Sequence, residues 1–223
     1  MFKLLNEKER LALRNSKEFK NTNYLWNKLE LNSRNSVGCL MHLIKQSHAT
    51  TKEEWEKYYF KTGEERKKIH INNLNQLSII NAEYGRTIDD LEEISIIFNK
   101  ELHLDLNLVF NFVYIRVIDE TWIGYEREKK AFEILSDKTD LTIKTVSYQD
   151  DIRYAVDFEV YKNGKLILAI QLKSSNYKHT RKYVHEMNIR KNKEYSLKNH
   201  VAVIYLYIDN NKIVNLDDFL NNI

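Results

Sequence analysis

Two hydrophobic patterns divide this chain. Up to about residue 120, apolar positions recur mostly at helical intervals; beyond Gly124, short runs alternating on a period of two join them. Leu4, Leu5, Leu11, Leu13 and Phe19, set among charges, predict an irregular amphipathic helix over 3–20. The polar, Asn-rich stretch 21–36 predicts a short helix and a loop anchored by Tyr24, Leu25, Trp26, Leu29 and Leu31, and 37–48 a compact apolar helix. Thr51-Lys52-Glu53-Glu54 has the pattern of a capping box, and Trp55, Tyr58 and Tyr59 follow at helical spacing as core aromatics. Gly63 is predicted to break that helix, with a second from near Glu64 to Ile80. Gly85 marks a turn, and Thr87-Ile88-Asp89-Asp90 starts a helix through Leu91, Ile94, Ile97 and Phe98. From Leu102 to Ile118 the chain is apolar and partly β-branched, and periodicity leaves strand and buried helix both open.

After Gly124, Tyr125, Glu128, Phe132 and Leu135 share one helical face. Leu141 to Tyr148 alternates as a strand, and Tyr154 to Ser175 reads as a β-hairpin turning at Lys162-Asn163-Gly164-Lys165, because Asn and Gly both tolerate positive φ. A basic helix over 181–197, a buried strand over 201–208 and a short helix over 217–223 complete the order. Helix, three strands, helix and strand predict an α/β (α+β) fold: a mixed sheet flanked by helices, preceded by a mostly helical N-terminal region. The boundary falls near 120, with 1–120 as a helical recognition or dimerisation region and 121–223 as the core, the two forming separate domains or one continuous one.

Composition narrows the class. The 223 residues, 43% hydrophobic and 30% charged, describe a globular chain with enough length for a core. No apolar run reaches membrane-spanning length, and the N-terminus lacks a signal peptide's apolar segment, so neither a membrane partner nor secretion is expected. Cys39, the single cysteine, excludes an internal disulfide and a cysteine-based zinc site and suits a reducing cytoplasm. The net charge of +3 is too small to argue nucleic-acid binding, but its distribution is uneven. Between Ser174 and His200, seven Lys and Arg face only Glu186 and Glu194, a surplus larger than that of the whole chain.

The hairpin carries the candidate chemistry. Asp157 falls within its first strand, and Gln171 and Lys173, two apart on the second, share a face. A carboxylate opposite an amide oxygen and an ammonium suits a hard cation such as Mg²⁺ with a lysine beside it. Asp157, Gln171 and the backbone carbonyl of Leu172 are the candidate ligands, and Lys173 is placed to hold an attacking water or offset developing phosphate charge. A further oxygen ligand is expected from the preceding helix. Glu128 is favoured over Glu126, because Ala131, Phe132 and Leu135 follow it at helical spacing whereas Lys129, Lys130 and Glu133 follow Glu126. Glu159 shares a face with Asp157 and is the competing carboxylate, nearer the turn.

Helix with an acid, strand, strand with Asp157, strand ending Gln171-Leu172-Lys173, helix and strand together resemble the PD-(D/E)XK nuclease core, from about Trp122 to Ile208. The resemblance implies Mg²⁺-dependent DNA cleavage, with Mn²⁺ able to substitute. Val156 stands where that motif has proline, and Gln171 where it has an acid, giving a QXK variant. A second resemblance covers Ser36-Val37-Gly38, Thr51 to Tyr59 and Thr121-Trp122-Ile123-Gly124, which are similar to the MjaI-type restriction endonucleases. It implies a type II enzyme acting on double-stranded DNA as a homodimer, each subunit cutting one strand of the palindrome CTAG.

Gripping DNA requires phosphate and base contacts near the scissile bond. Ser174, Ser175, Asn176, Lys178, His179, Arg181, Lys182 and Arg190 follow Lys173 directly and are the candidate DNA-binding residues. Two rival readings share the core: a structure-selective repair or junction-resolving nuclease, and a catalytically inactive DNA-binding domain, which Gln171 keeps open.

Overall fold

Side-chain caps set many of the helix starts in the first half. The structure, a computed structural model, describes residues 2–138, 141–175, 177, 182–209 and 212–221. It divides into two compact units, 1–125 and 126–223. The first holds α1 (Glu7–Asn15), α2 (Lys17–Asn21), α3 (Asn23–Lys28), α4 (Arg34–Val37), α5 (Leu40–Ser47), α6 (Lys52–Arg66), α7 (Leu74–Glu83), α8 (Ile88–Leu102) and α9 (Leu106–Tyr114). A π-helical turn, Ile115–Asp119, then leads into α10 (Glu120–Lys138), whose later turns belong to the second unit.

Thr87 and Asp90 close a full capping box at the start of α8. At α6 the predicted box forms by half: Thr51 Oγ1 accepts from the Glu54 N–H at 3.2 Å, while Glu54 Oε2 turns to the Thr50 N–H at 2.8 Å. The predicted helix over 3–20 is divided at Ser16, whose hydroxyl caps α2 by accepting from the Phe19 N–H at 3.1 Å.

Two expectations fail in the next stretch. Gly63 does not break a helix but lies buried inside α6, where a Cβ would stand 2.3 Å from the backbone carbon of Arg86. Its glycine serves a close backbone approach rather than a turn. The helix predicted from Glu64 to Ile80 is accordingly displaced: α6 runs on to Arg66, and α7 starts only after Asn73, which accepts from the Gln76 N–H at 2.9 Å. The segment that periodicity left open, 102–118, is helical from Leu106 onward, started by Asp105 as a cap. Its residues 109–118 are buried all round, which erases the amphipathic signal. Trp55 and Tyr59 lie fully buried in the same core, with Trp26 edge-on to Phe98 and Phe19 edge-on to Phe112.

The second unit carries β1 (Thr142–Thr145), α11 (Tyr148–Tyr154), β2 (Phe158–Lys162), β3 (Lys165–Ser174), α12 (Lys182–Asn199), β4 (Ala202–Asp209), β5 (Lys212–Ile213) and α13 (Leu216–Leu220). The sheet order is β1-β2-β3-β4-β5, antiparallel except for the parallel β3–β4 pair. Parallel neighbours need a crossover, and α12 provides it. The hairpin turns where expected, with Asn163 and Gly164 both at positive φ (52° and 77°). Its first strand begins later than Tyr154, because α11 occupies 148–154 and shortens the predicted 141–148 strand to β1. On one sheet face, Phe158, Leu168, Ile170 and Leu206 cluster with Ala131 and Leu135 of α10. On the other, Ala169 packs with Tyr154 of α11 and Tyr195 of α12. The architecture is thus the predicted mixed α+β fold with a helical N-terminal region. Among the described residues, no helix is long and apolar enough to cross a membrane.

Candidate active site

Asp157 enters the sheet from a sharp reversal. α11 ends on Ala155 in the left-handed region (φ 53°), Val156 is buried, and the Asp157 N–H donates to the Ile170 carbonyl at 2.8 Å. Asp157 therefore stands one residue ahead of β2, not within a strand as the alternation predicts. Its Oδ2 accepts from the Leu172 N–H at 2.6 Å, which fixes the carboxylate against β3.

Alternation along β3 sorts the other candidates. Ile170 and Leu172 belong to the α10-facing cluster, so Gln171 and Lys173 lie on the face covered by α11 and α12. Gln171 is only 1% exposed, and its Oε1 accepts no hydrogen bond among the described residues. A buried acceptor without a donor costs about 1–3 kcal/mol, so its retention asks for a reason. Lys173 is half-buried with Nζ 5.2 Å from the ring centre of Tyr177. Tyr177 is held in turn: its Oη accepts from Asn188 Nδ2 at 2.7 Å, and its ring stacks on Tyr205, whose Oη donates to Asn192 Oδ1 at 2.7 Å.

The electrostatics follow from this crowding. Burial, then the charges of Asp151 and Glu128, push the Asp157 carboxyl up to about 7; the Leu172 N–H and the Lys173 ammonium oppose them. Burial draws the Lys173 ammonium below the ordinary lysine range; Asp157 and Asp151 resist, and Lys191 adds to the fall. Glu128 therefore acts on Asp157 from α10, on the turn that buries Ala131 and Leu135. Glu126 is exposed and shares a surface groove with Lys129, Lys130 and Glu133. Glu159 is already engaged at both oxygens, by Tyr195 Oη at 2.5 Å and Tyr161 Oη at 2.6 Å. Glu128 thus faces Asp157 electrostatically, Glu126 faces solvent, and Glu159 has both oxygens bonded to tyrosines.

Of the candidate DNA contacts, Ser174 is exposed at the end of β3 and Ser175 is half-buried beyond it. Lys182 and Arg190 are exposed on α12, where Lys182 Nζ lies 3.6 Å from Glu186. Asn176, Lys178, His179 and Arg181 lie outside the described residues. Sequence reasoning missed Asp151, Lys191 and the layer of Tyr177, Asn188, Asn192 and Tyr205. Ser147-x-x-Asp150, which caps α11, was a signal for the first; Asn188, Asn192 and Tyr195 at i, i+4 and i+7 were one for the last.

Among the described residues no three His, Cys, Asp or Glu side chains form a ready cation cage. The acceptor oxygens a cation would meet are those of Asp157, Gln171 and the backbone beside them. The family model for the MjaI restriction endonuclease matches residues 22–215, a span that takes in both units and every residue discussed at this site. No curated protein and no solved structure matches the chain. The chain belongs to the MjaI restriction endonuclease family, type II nucleases whose substrate is DNA.

Proposed function

We propose that this chain makes Mg²⁺-dependent, sequence-specific double-strand cuts in DNA from a PD-(D/E)XK-type core. Asp157, Gln171 and the Leu172 carbonyl are the residues toward the cation, Lys173 is the residue toward the attacking water, and Glu128 supports them. The observation that carries this reading is Gln171 Oε1, without a partner among the described residues and buried on the sheet face that also bears Lys173, with Asp157 tied to the adjoining Leu172. An acceptor without a donor and a carboxyl pushed up to about 7 are both relieved by a hard cation with oxygen preference. The residues present therefore fit Mg²⁺, which is usually bound by one or two carboxylates and retains several waters. Mn²⁺, served by the same oxygen ligands, is expected to substitute. When bound, the cation supplies Lewis-acid stabilisation at the scissile phosphate.

The chain's own groups do the remaining work. The Leu172 N–H occupies one lobe of Asp157 and orients the carboxylate. Asp157 and Asp151 favour the charged form of Lys173, so its ammonium can hold water by hydrogen bonding and offset phosphate charge in the transition state. Tyr177, braced by Asn188, stabilises the position of that ammonium. Exposed Lys182 and Arg190 suit phosphate contacts, joined in this reading by Ser174, Ser175, Asn176, Lys178, His179 and Arg181. Cutting both strands of a palindrome calls for a homodimer, acting in the cytoplasm.

The test is incubation with mixed-sequence plasmid DNA and Mg²⁺. Discrete fragments are expected, and Lys173→Ala should slow their formation by about 10²-fold or more. Equal cutting by the variant contradicts the assignment of Lys173. Cutting confined to branched DNA points instead to a junction-resolving enzyme, and DNA binding without cutting to an inactive domain.

A further inference from the structure

Gln171 presents an oxygen acceptor but no negative charge, where an acid would present both. The missing charge has a source on the same face of the sheet. α11 covers the side of β3 that bears Gln171 and Lys173, with Tyr154 packed on Ala169. The end of α11 is pinned: Lys191 Nζ donates to the Ile152 carbonyl at 2.7 Å, and Asn192 Nδ2 donates to the Tyr154 and Ala155 carbonyls at 3.0 Å each. The Ala155 N–H closes the last turn on the Asp151 carbonyl at 2.8 Å. Asp151 is half-buried there, and its charge acts on both Asp157 and Lys173, on the former more strongly than Glu128 does. Gln171 Oε1, buried on that face, independently offers an acceptor oxygen with no donor among the described residues.

We propose that Asp151 is a metal-site carboxylate of the cleavage centre, supplying from α11 the negative charge that Gln171 does not supply from β3. This rests on the divalent-cation reading given above. It makes the QXK sequence complete in space rather than deficient: a glutamine on the strand is tolerated because an aspartate on the neighbouring helix stands in for its charge.

The test is Mn²⁺ binding by the full chain without DNA, followed by the electron paramagnetic resonance of the free ion, for wild type, Asp151→Asn, Gln171→Glu and the double variant. Asp151→Asn should weaken binding by about tenfold or more, and adding Gln171→Glu should recover most of that loss. Without metal, Asp151→Asn relieves Asp157 of a like charge and takes an attractive one from Lys173, so its melting should stay close to that of wild type. Wild-type affinity in Asp151→Asn, or a double variant no better than Asp151→Asn alone, overturns the proposal and leaves the metal reading standing. So does a marked loss of metal-free stability in Asp151→Asn, which makes the residue structural. Failure of the wild type to take up Mn²⁺ overturns both.

Discussion

Both units bury charge, and they do so differently. In the first, Arg86 is 2% exposed and its guanidinium donates to the backbone carbonyls of Tyr84, Gly85, Arg34, Asn35 and Asn81. Asp119 lies between Arg10 at 2.9 Å and Lys52 at 3.6 Å. Arg116 leaves Nε unbonded, but its other nitrogens reach Thr22, Asn23 and Phe19. Arg86 and Asp119 meet their complements within the fold, while Arg116 Nε, Arg66 Nε and Trp55 Nε1 have no hydrogen-bond partner among the described residues. In the second unit, Asp157 has carboxylates for neighbours, and Gln171 Oε1 has no partner among the described residues. The buried ions Arg86 and Asp119 are met by groups of the fold, whereas in the proposed reading the carboxylates around Asp157 await a cation. In that reading, buried charge is structural in the first unit and poised for a ligand in the second.

Breaking the complete side should have the largest effect. Arg86→Met strips a donor from five backbone carbonyls, two of them buried, and should destabilise the chain by about 3–5 kcal/mol, read as a fall in denaturation midpoint. Retained stability would mean that the carbonyls find other donors and that the contrast between the units is false.

The incomplete side should respond in the opposite direction. Asp157→Asn keeps an acceptor for the Leu172 N–H and removes a disfavoured charge, so without metal at pH 8 it should raise stability by about 1–3 kcal/mol while abolishing cleavage. The pH dependence carries the sign. The Asp157 carboxyl is raised to about 7 from an ordinary 3.8, so between those values the folded chain holds a proton that the unfolded chain has released. Metal-free wild type should therefore lose stability from this group as pH rises from about 4 to about 7, and change little from it above. The variant should lack that slope, so its advantage is full above pH 7. An advantage that does not grow over this window would show that Asp157 is not held in a disfavoured charged state.

The smallest effect is expected at Glu126, exposed among lysines. Glu126→Gln should change stability by less than about 0.5 kcal/mol and leave cleavage unchanged. A large loss of activity would move the helix acid from Glu128 to Glu126.

How much of this was legible depended on whether local chemistry had a single reading. Asn163-Gly164 was legible because two adjacent positive φ angles suit few other residue pairs. Thr87 was legible as a cap, and Glu128 as the odd charge on an apolar helical face. Gly63 was misread because a glycine for turning and a glycine for close approach look alike in sequence; only the Arg86 backbone opposite distinguishes them. α11 was missed because its seven residues lie between two alternating stretches and carry no apolar stripe. With it went Asp151, and with it came the early placement of Asp157 within a strand. The saturation of Glu159 by Tyr161 and Tyr195 needs partners 2 and 36 residues away, which no local pattern supplies.

The central claim is that the acceptors around Asp157 await a divalent cation, and thermal melting of the full chain with and without Mg²⁺ tests it most directly. At a concentration 100 times its Kd, Mg²⁺ should stabilise wild type by about 2.7 kcal/mol, or roughly 5–10 °C. The shift should shrink below about pH 7, where Asp157 holds its proton, and should vanish in Asp157→Asn. A shift equal in wild type and Asp157→Asn, or absent from both, would contradict it.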